Sequence, residues 1–425
     1  MLFLTAALSV VLVNLDLITF GLALALIFLP IIIAWPRIYF VFFMVARPMM
    51  DLATKLTFAG GINIASVASI VFIIVCGTLV VQKKNLAVLR KNSFMRSFNI
   101  LFLLFLLACA SSCFNTQIFV ISMTDVLRVL SIWVAVNYAV IYFGDSQGSK
   151  KLFMLIIASS LMPLCLGLYQ FVFRKGMPEL GYNRLYGSFT HTNVFSQYLV
   201  LICLLLIHKI WTSRVRARNL WMYLLAAVAL FELFSTYTRG AWIALAVSLA
   251  VYVLFKNSLA TKLKCVLGSA VLLMALFPKL QERFADINET KYYQLSSWQW
   301  RLKMWSMATE YLKEHPFIGH GLGMYEREFS MMAHNDYLRI SYEIGFVGLF
   351  LYVGMLLFLL FYAMKKMLKN TSLEIASGYK IIVSLVLGLL AMSMVDNLAR
   401  STVVVMYFFV FIGVAAAKNE NTFSK

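Results

Sequence analysis

Residues 83–113 read KKNLAVLRKNSFMRSFNILFLLFLLACASSC. Lys83, Lys84, Arg90, Lys91 and Arg96 come first, and then a run over 97–113 carries no charge. A spanning helix needs about 20 mostly apolar residues, and Lys and Arg in short loops mark the cytoplasmic side. This stretch predicts a helix that enters a bilayer from a basic cytoplasmic loop. Working outward, similar apolar runs recur near 62–82, 120–143, 151–173, 192–208, 219–236, 239–255, 263–278, 338–364, 377–394 and 402–417. The first 50 residues hold two or three more, interrupted at Asn14 and Asp16 and again at Pro36-Arg37. The expected fold is an all-α integral membrane protein with about 12–14 transmembrane helices.

Composition agrees. Of 425 residues 62% are hydrophobic and 13% charged, about half the roughly 25% charge of soluble domains. That excludes an ordinary water-soluble enzyme and a disordered chain. The net charge is +19, from 37 Lys+Arg against 18 Asp+Glu. In a soluble protein this would suggest nucleic acid. Here Lys150 and Lys151, then Lys209, Arg214, Arg216 and Arg218, then Lys256, Lys262 and Lys264, then Lys365, Lys366 and Lys369 all join loop 83–96 on one side if the spans alternate. The charge is read as a topology signal, with no nucleic acid partner and a cytoplasmic C-terminus. The first basic residue is Arg37, so no cleaved signal peptide is expected. The six cysteines fall almost entirely in apolar runs, form no CxxC, and read as small core or lipid-facing residues.

The opposite, outer side receives 51–61, 114–119, 174–191, the tight connection at 237–238, the long segment 279–337, and 395–401. Three regions follow: an N-terminal bundle over 1–278, an outer loop over 279–337, and C-terminal helices with a short tail over 338–425, forming one integrated membrane domain. Several arginines break the positive-inside pattern, among them Arg184, Arg239, Arg301, Arg327 and Arg400. An Arg at membrane depth on the outer side needs an acidic partner, lipid headgroups or an anionic ligand. Its planar fork suits phosphate. His191, His315, His320 and His334 lie on the same side.

Within the long loop, Leu295–Pro316 reads as an amphipathic helix. Ser296 and Gln299 fit a capping box, and Trp298, Leu302, Trp305 and Leu312 recur at helical spacing. Pro-Phe-Ile-Gly-His-Gly-Leu-Gly follows over 316–323, and it either cradles a phosphate or merely turns the chain. Asn335 or Asp336 can cap the next helix, whose free N–H groups would face an anion. His334 can take a proton from a hydroxyl. The pairs Asp125–Arg128, Arg339–Glu343 and Asp396–Arg400 read as intrahelical ion pairs. No HExxH, GxSxG or Walker A motif is present, so no metal and no cofactor is expected.

Four stretches resemble the O-antigen ligase and Wzy-type O-antigen polymerase family of polytopic bacterial envelope glycosyltransferases. They are Arg184-Leu-Tyr-Gly with Asn193, Thr238-Arg239-Gly240, Arg301 through Gly323, and His334-Asn335-Asp336-Tyr337 leading to Glu343-Ile-Gly-Phe-Val-Gly. One departure is Thr192, where many relatives have Pro. The resemblance implies a multi-pass inner-membrane protein whose active site faces the periplasm, with 279–337 as its periplasmic loop. It implies an undecaprenyl-pyrophosphate-linked glycan as donor, a glycan or lipid A–core as acceptor, and membrane lipid as setting. Catalytic roles would fall to His334, for the acceptor hydroxyl, and to Arg239 and Arg301, for the pyrophosphate. Arg184, Asn193, His320, Asn335 and Asp336 would bind substrate. Ligase chemistry is slightly favoured over Wzy-type polymerisation of lipid-linked repeats, and a non-enzymatic transporter or flippase is the competing class. Transporters place their charges near the midplane, and these lie at the outer interface.

Overall fold

The structure is a computed structural model that describes residues 32–55, 64–179, 182–213, 220–255, 262–263, 290–292, 295–369 and 372–418. Its helices are α1 (Pro36–Ala46), α2 (Ile64–Val80), α3 (Lys83–Lys91), α4 (Ser93–Ser112), α5 (Phe119–Phe143), α6 (Ser146–Ser159) and α7 (Leu161–Val172). Then come α8 (Thr192–Thr212), α9 (Leu220–Ser235), α10 (Arg239–Leu254), α11 (Ser297–Leu312), α12 (Tyr325–Phe329), α13 (Asp336–Lys369), α14 (Leu373–Ser393) and α15 (Thr402–Lys418). Two short antiparallel hairpins, Met177–Glu179 with Tyr182–Arg184 and Thr290–Tyr292 with Leu295–Ser296, are the strands among the described residues.

Six helical stretches of the described chain are long and apolar enough to cross a bilayer, or seven if the bent pair Ser66–Val80 and Lys83–Lys91 counts as one. The protein is an all-α polytopic membrane protein. Ten of the eleven expected runs are helical, and the eleventh, 263–278, lies outside the described residues, as do the runs before residue 32. Four of the ten, α2, α9, α10 and α15, are shorter, at 17, 16, 16 and 17 residues. The basic loop after α2 is itself a helix, α3, turned by 76° from α2. Asn85 and Leu89, four apart, are its buried residues, and its lysines face outward.

The sequence of α4 shows how the spans sort their faces. Phe94, Phe98, Phe102, Phe105 and Cys109 are buried, whereas Ile100, Leu103, Leu104 and Leu107 are exposed. Both stripes are apolar and both keep helical spacing, so one packs on protein and the other meets lipid. The helix α15 is buried along almost its whole length, from Val403 to Ala417. It lies against α5, while α13 packs on α4 and α14. Cys76, Cys109, Cys113 and Cys203 are buried and Cys165 is exposed, all as free thiols.

The helix α13 is broken at Gly345, whose φ of 73° and ψ of −177° suit only glycine. A break in a span leaves backbone groups that nothing in lipid can satisfy. The loop Pro316–Gly323 fills that need. His320 N–H donates to the Tyr342 carbonyl at 3.0 Å and Gly321 N–H to the Glu343 carbonyl at 3.0 Å. In return Phe346 N–H donates to the Pro316 carbonyl at 2.7 Å. The backbones lie so close that a Cβ on Gly345 would stand 2.2 Å from the Phe317 carbonyl carbon, and one on Gly319 2.4 Å from that of Glu343. Of its two expected uses, this glycine loop turns the chain, and its glycines admit the helix backbone.

The amphipathic helix forms as α11 and ends at Leu312, four residues before Pro316. Its buried stripe is Met304, Ala308 and Leu312, and Leu302, expected on the apolar face, is 45% exposed. Met304 and Ala308 of that stripe pack into a cluster with Met324, Tyr325, Phe329, Ala333 and Tyr342. Protein, rather than headgroups alone, thus fixes this helix.

Candidate active site

His334 immediately precedes the helix α13. Asn335 caps that helix, its side-chain oxygen accepting from Leu338 N–H at 3.1 Å. His334 itself has φ +49°, a left-handed conformation that favours glycine. The strain is held because the residues on either side are fixed. Trp305 of α11 donates its indole N–H to the Ala333 carbonyl at 2.7 Å, and Trp300 donates to the Met331 sulfur. Strain of this kind gathers at functional sites.

The His334 Nδ1 lies 3.4 Å from an Asp396 carboxylate oxygen, with side chains 20% and 4% exposed. Asp396 does not pair with Arg400 as expected. Residues 398–400 form a 3-10 turn, in which positions four apart do not face each other as on an α-helix. Arg400 pairs instead with Glu326. Asn193 donates its amide to Asp396 at 3.3 Å, and the Asn397 N–H donates at 2.9 Å. Burial alone would raise the Asp396 carboxyl. The hydrogen bond and charge of His334, with Asn397 and Gln197, outweigh it and hold the carboxyl below the usual carboxylate range.

Arg184 is 4% exposed. Its Nε donates to the Thr236 carbonyl at 2.8 Å, and its Nη2 donates to Asn193 and to Thr238, each at 3.2 Å. It ties the loop before α8 to the tight turn before α10 rather than opening to solvent. Thr238 precedes Arg239, the first residue of α10, so this network fixes the backbone from which Arg239 starts the helix. Arg301 sits one turn before Trp305, the residue of α11 that bonds Ala333. The expected pairs Asp125–Arg128 and Arg339–Glu343 form, at 2.5 and 2.7 Å.

Asp336 and His320 have other surroundings. Asp336 is fully buried, 3.3 Å from Arg339, and its second oxygen accepts the Ala399 N–H at 2.8 Å. It braces the 396–400 turn from below. His320 stacks on Tyr342 with ring centroids 4.4 Å apart, and its Nε2 lies 3.6 Å from Glu314. Both positions belong to the framework around His334.

A cavity of about 270 Å³ adjoins the pair, lined by Asp396 and Asn193 and by Arg47, Arg128, Arg400 and Asp51, among others. His334, Arg239 and Arg301 are not among its described lining residues. Asp396, Arg47, Arg128 and Arg400 were not singled out as site residues from the sequence. A signal existed for Arg128: an ionisable residue inside an apolar run marks a functional site by default. The low charge density also made Arg47 and Asp51, four apart, readable as a pair.

Residues 224–353 match the family model described as O-antigen ligase (Wzy_C). A search of curated proteins finds no match to the chain. The matched segment contains Arg239, Arg301, His320, His334, Asn335 and Asp336, and the resemblance to the O-antigen ligase/Wzy-type family is borne out there. The protein is thus a polytopic membrane protein that carries a segment similar to O-antigen ligases.

Proposed function

We propose that the protein transfers a glycan from undecaprenyl pyrophosphate to a hydroxyl acceptor at the periplasmic face, without a metal, with lipid A–core as the favoured acceptor. The observation that best supports this is the His334–Asp396 pair beside an arginine-lined cavity. With Nδ1 turned to Asp396, Nε2 of His334 is the ring nitrogen left for the acceptor. It takes the proton of the acceptor hydroxyl as that oxygen attacks the anomeric carbon. The bond from the anomeric carbon to the pyrophosphate oxygen breaks, and undecaprenyl pyrophosphate leaves with the electron pair. Asp396 stabilises the imidazolium that results.

Arg239 and Arg301 are proposed to hold the leaving pyrophosphate and its developing charge. Asn193 positions Asp396. Asn335 and the N-terminus of α13 present N–H groups beside the reacting atoms. Arg184, Asp336 and His320 are proposed to position these groups rather than to touch the sugar.

The test is an in vitro transfer with purified protein and no added metal or nucleotide. Undecaprenyl-pyrophosphate-linked glycan is supplied with lipid A–core or with further lipid-linked repeats. Glycan on lipid A–core is the expected product. Longer chains still on undecaprenyl pyrophosphate would instead assign a polymerase. No product with either acceptor from correctly loaded, folded protein would reject transfer.

A further inference from the structure

Arg47 begins the 3-10 segment Arg47–Lys55 and is 6% exposed. Its Nε and Nη1 are buried and make no hydrogen bond among the described residues. Its nearest carboxylate, Asp51, is 3.8 Å away, longer than a hydrogen bond. A buried guanidinium with unused donors is costly unless something pairs with it. Arg47 lines the 270 Å³ cavity, and so do Arg128 and Arg400, which come from α5 and from the turn before α15.

The acids that pair with these last two, Asp125 and Glu326, are not among the lining residues. Of the two lining acids, Asp396 is engaged by His334 and Asn193, and Asp51 stands 3.8 Å from Arg47. Three arginines from three distant segments therefore converge on one water-sized to ligand-sized space, and one of them is nine-tenths buried with donors to spare. Arg128 and Arg400 also line a second cavity of about 70 Å³, whose other walls include Phe102, Phe105, Val129 and Phe409. The same two cations thus face the first cavity on one side and, on the other, a space whose walls are mostly apolar but include Asp125 and Arg339.

We propose that Arg47, Arg128 and Arg400 form a binding site for a phosphate-class anion, with Arg47 as the central donor, separate from the roles assigned to Arg239 and Arg301. Guanidinium forks bind phosphate oxygens two at a time. The bearer of the phosphate is either the lipid donor, whose first isoprene would meet the apolar chamber, or an anionic group on the acceptor. Only that choice of bearer rests on the transferase reading. The anion site itself does not.

The test begins with purified wild-type protein in nanodiscs, titrated with inorganic pyrophosphate by calorimetry and by thermal shift. Binding that weakens with added salt is expected. Arg128→Gln and Arg400→Gln, both at partly exposed positions, should each weaken it at least tenfold. Arg47→Met should abolish it while leaving the melting temperature of the ligand-free protein unchanged or higher, because a buried charge is removed. If that variant does not fold, Arg47→Lys keeps a cation but loses the fork and should weaken binding about tenfold. No binding to wild type at millimolar pyrophosphate, or undiminished binding in both Arg128→Gln and Arg400→Gln, overturns the proposal.

The transfer assay then separates the bearers. A raised KM for the lipid donor alone in Arg128→Gln and Arg400→Gln assigns the site to the donor pyrophosphate, and a raised KM for the acceptor alone assigns it to an anionic acceptor. Should no transfer occur at all, the pyrophosphate titration still decides the site, so the two failures are distinct.

Discussion

His334 carries two separable properties, an imidazole and a left-handed backbone. His334→Ala removes the proton acceptor, and transfer should fall by about 10²–10⁴-fold, measured as kcat with the melting temperature followed in parallel. His334→Gly loses the same chemistry but relieves the backbone, so it should melt no lower than wild type. A melt below that of the Ala variant would show that φ +49° is not strained. Asp396→Asn keeps the shape and loses the charge, and kcat should drop by about 10²-fold or more. The pH dependence follows from the same carboxylate. Its pKa is depressed by folding, so its stabilisation is complete above the ordinary carboxylate value of about 3.9 and fades only as pH falls below it. Melting temperature should therefore show no pH dependence from Asp396 between about pH 5 and 8, and Asp396→Asn should flatten only the acid limb. His334 and Asn193 were legible as candidates because polar types stood out at apolar boundaries, and the structure brings both to Asp396. Asp396 was not, because its spacing from Arg400 fits an α-helix and the chain there is a 3-10 turn.

The glycine loop and the break in α13 form one joint between two elements. Gly345→Ala places a Cβ 2.2 Å from the Phe317 carbonyl carbon and forces a non-glycine residue into φ +73°. The backbone conformation alone costs about 1–3 kcal/mol, and the clash adds to it. The melting temperature should fall by several degrees, and more than for Gly354→Ala, where a Cβ would meet nothing within 4 Å. Equal melts for the two variants would remove the joint's structural role. At this scale the sequence reading located nearly every helix, since an uncharged run of about 20 residues leaves few alternatives. It placed the buried face of α11 less well. Trp298, Leu302, Trp305 and Leu312 carry the conspicuous apolar side chains, but Met304 and Ala308 are what pack against Met324, Tyr325, Phe329, Ala333 and Tyr342. A stripe that includes a small Ala is visible only once its partner surface is known.

For the whole molecule, alternation of basic loops predicts which face each connection reaches. Single cysteines in a cysteine-free background test it with a membrane-impermeant maleimide. Lys84→Cys should react only in opened cells, and Ser330→Cys in intact spheroplasts. Native Cys165, exposed yet within an apolar helix, should stay unlabelled from either side. Labelling of Lys84→Cys from outside would invert the topology and place the His334 pair in the cytoplasm. Charge asymmetry is the signal at this scale, and the labelling decides it. The cavity was not legible, because its walls come from segments that only packing brings together. That packing has a consequence for biosynthesis. Tyr407 donates its hydroxyl to the Met44 carbonyl across 363 positions of chain, and Arg47 meets Arg400 at one cavity. During translation the early wall is inserted long before the late one exists. A nascent or prematurely terminated chain therefore holds His334 without Asp396, and neither the pair nor the cavity wall beside it can form until the last helices have been delivered.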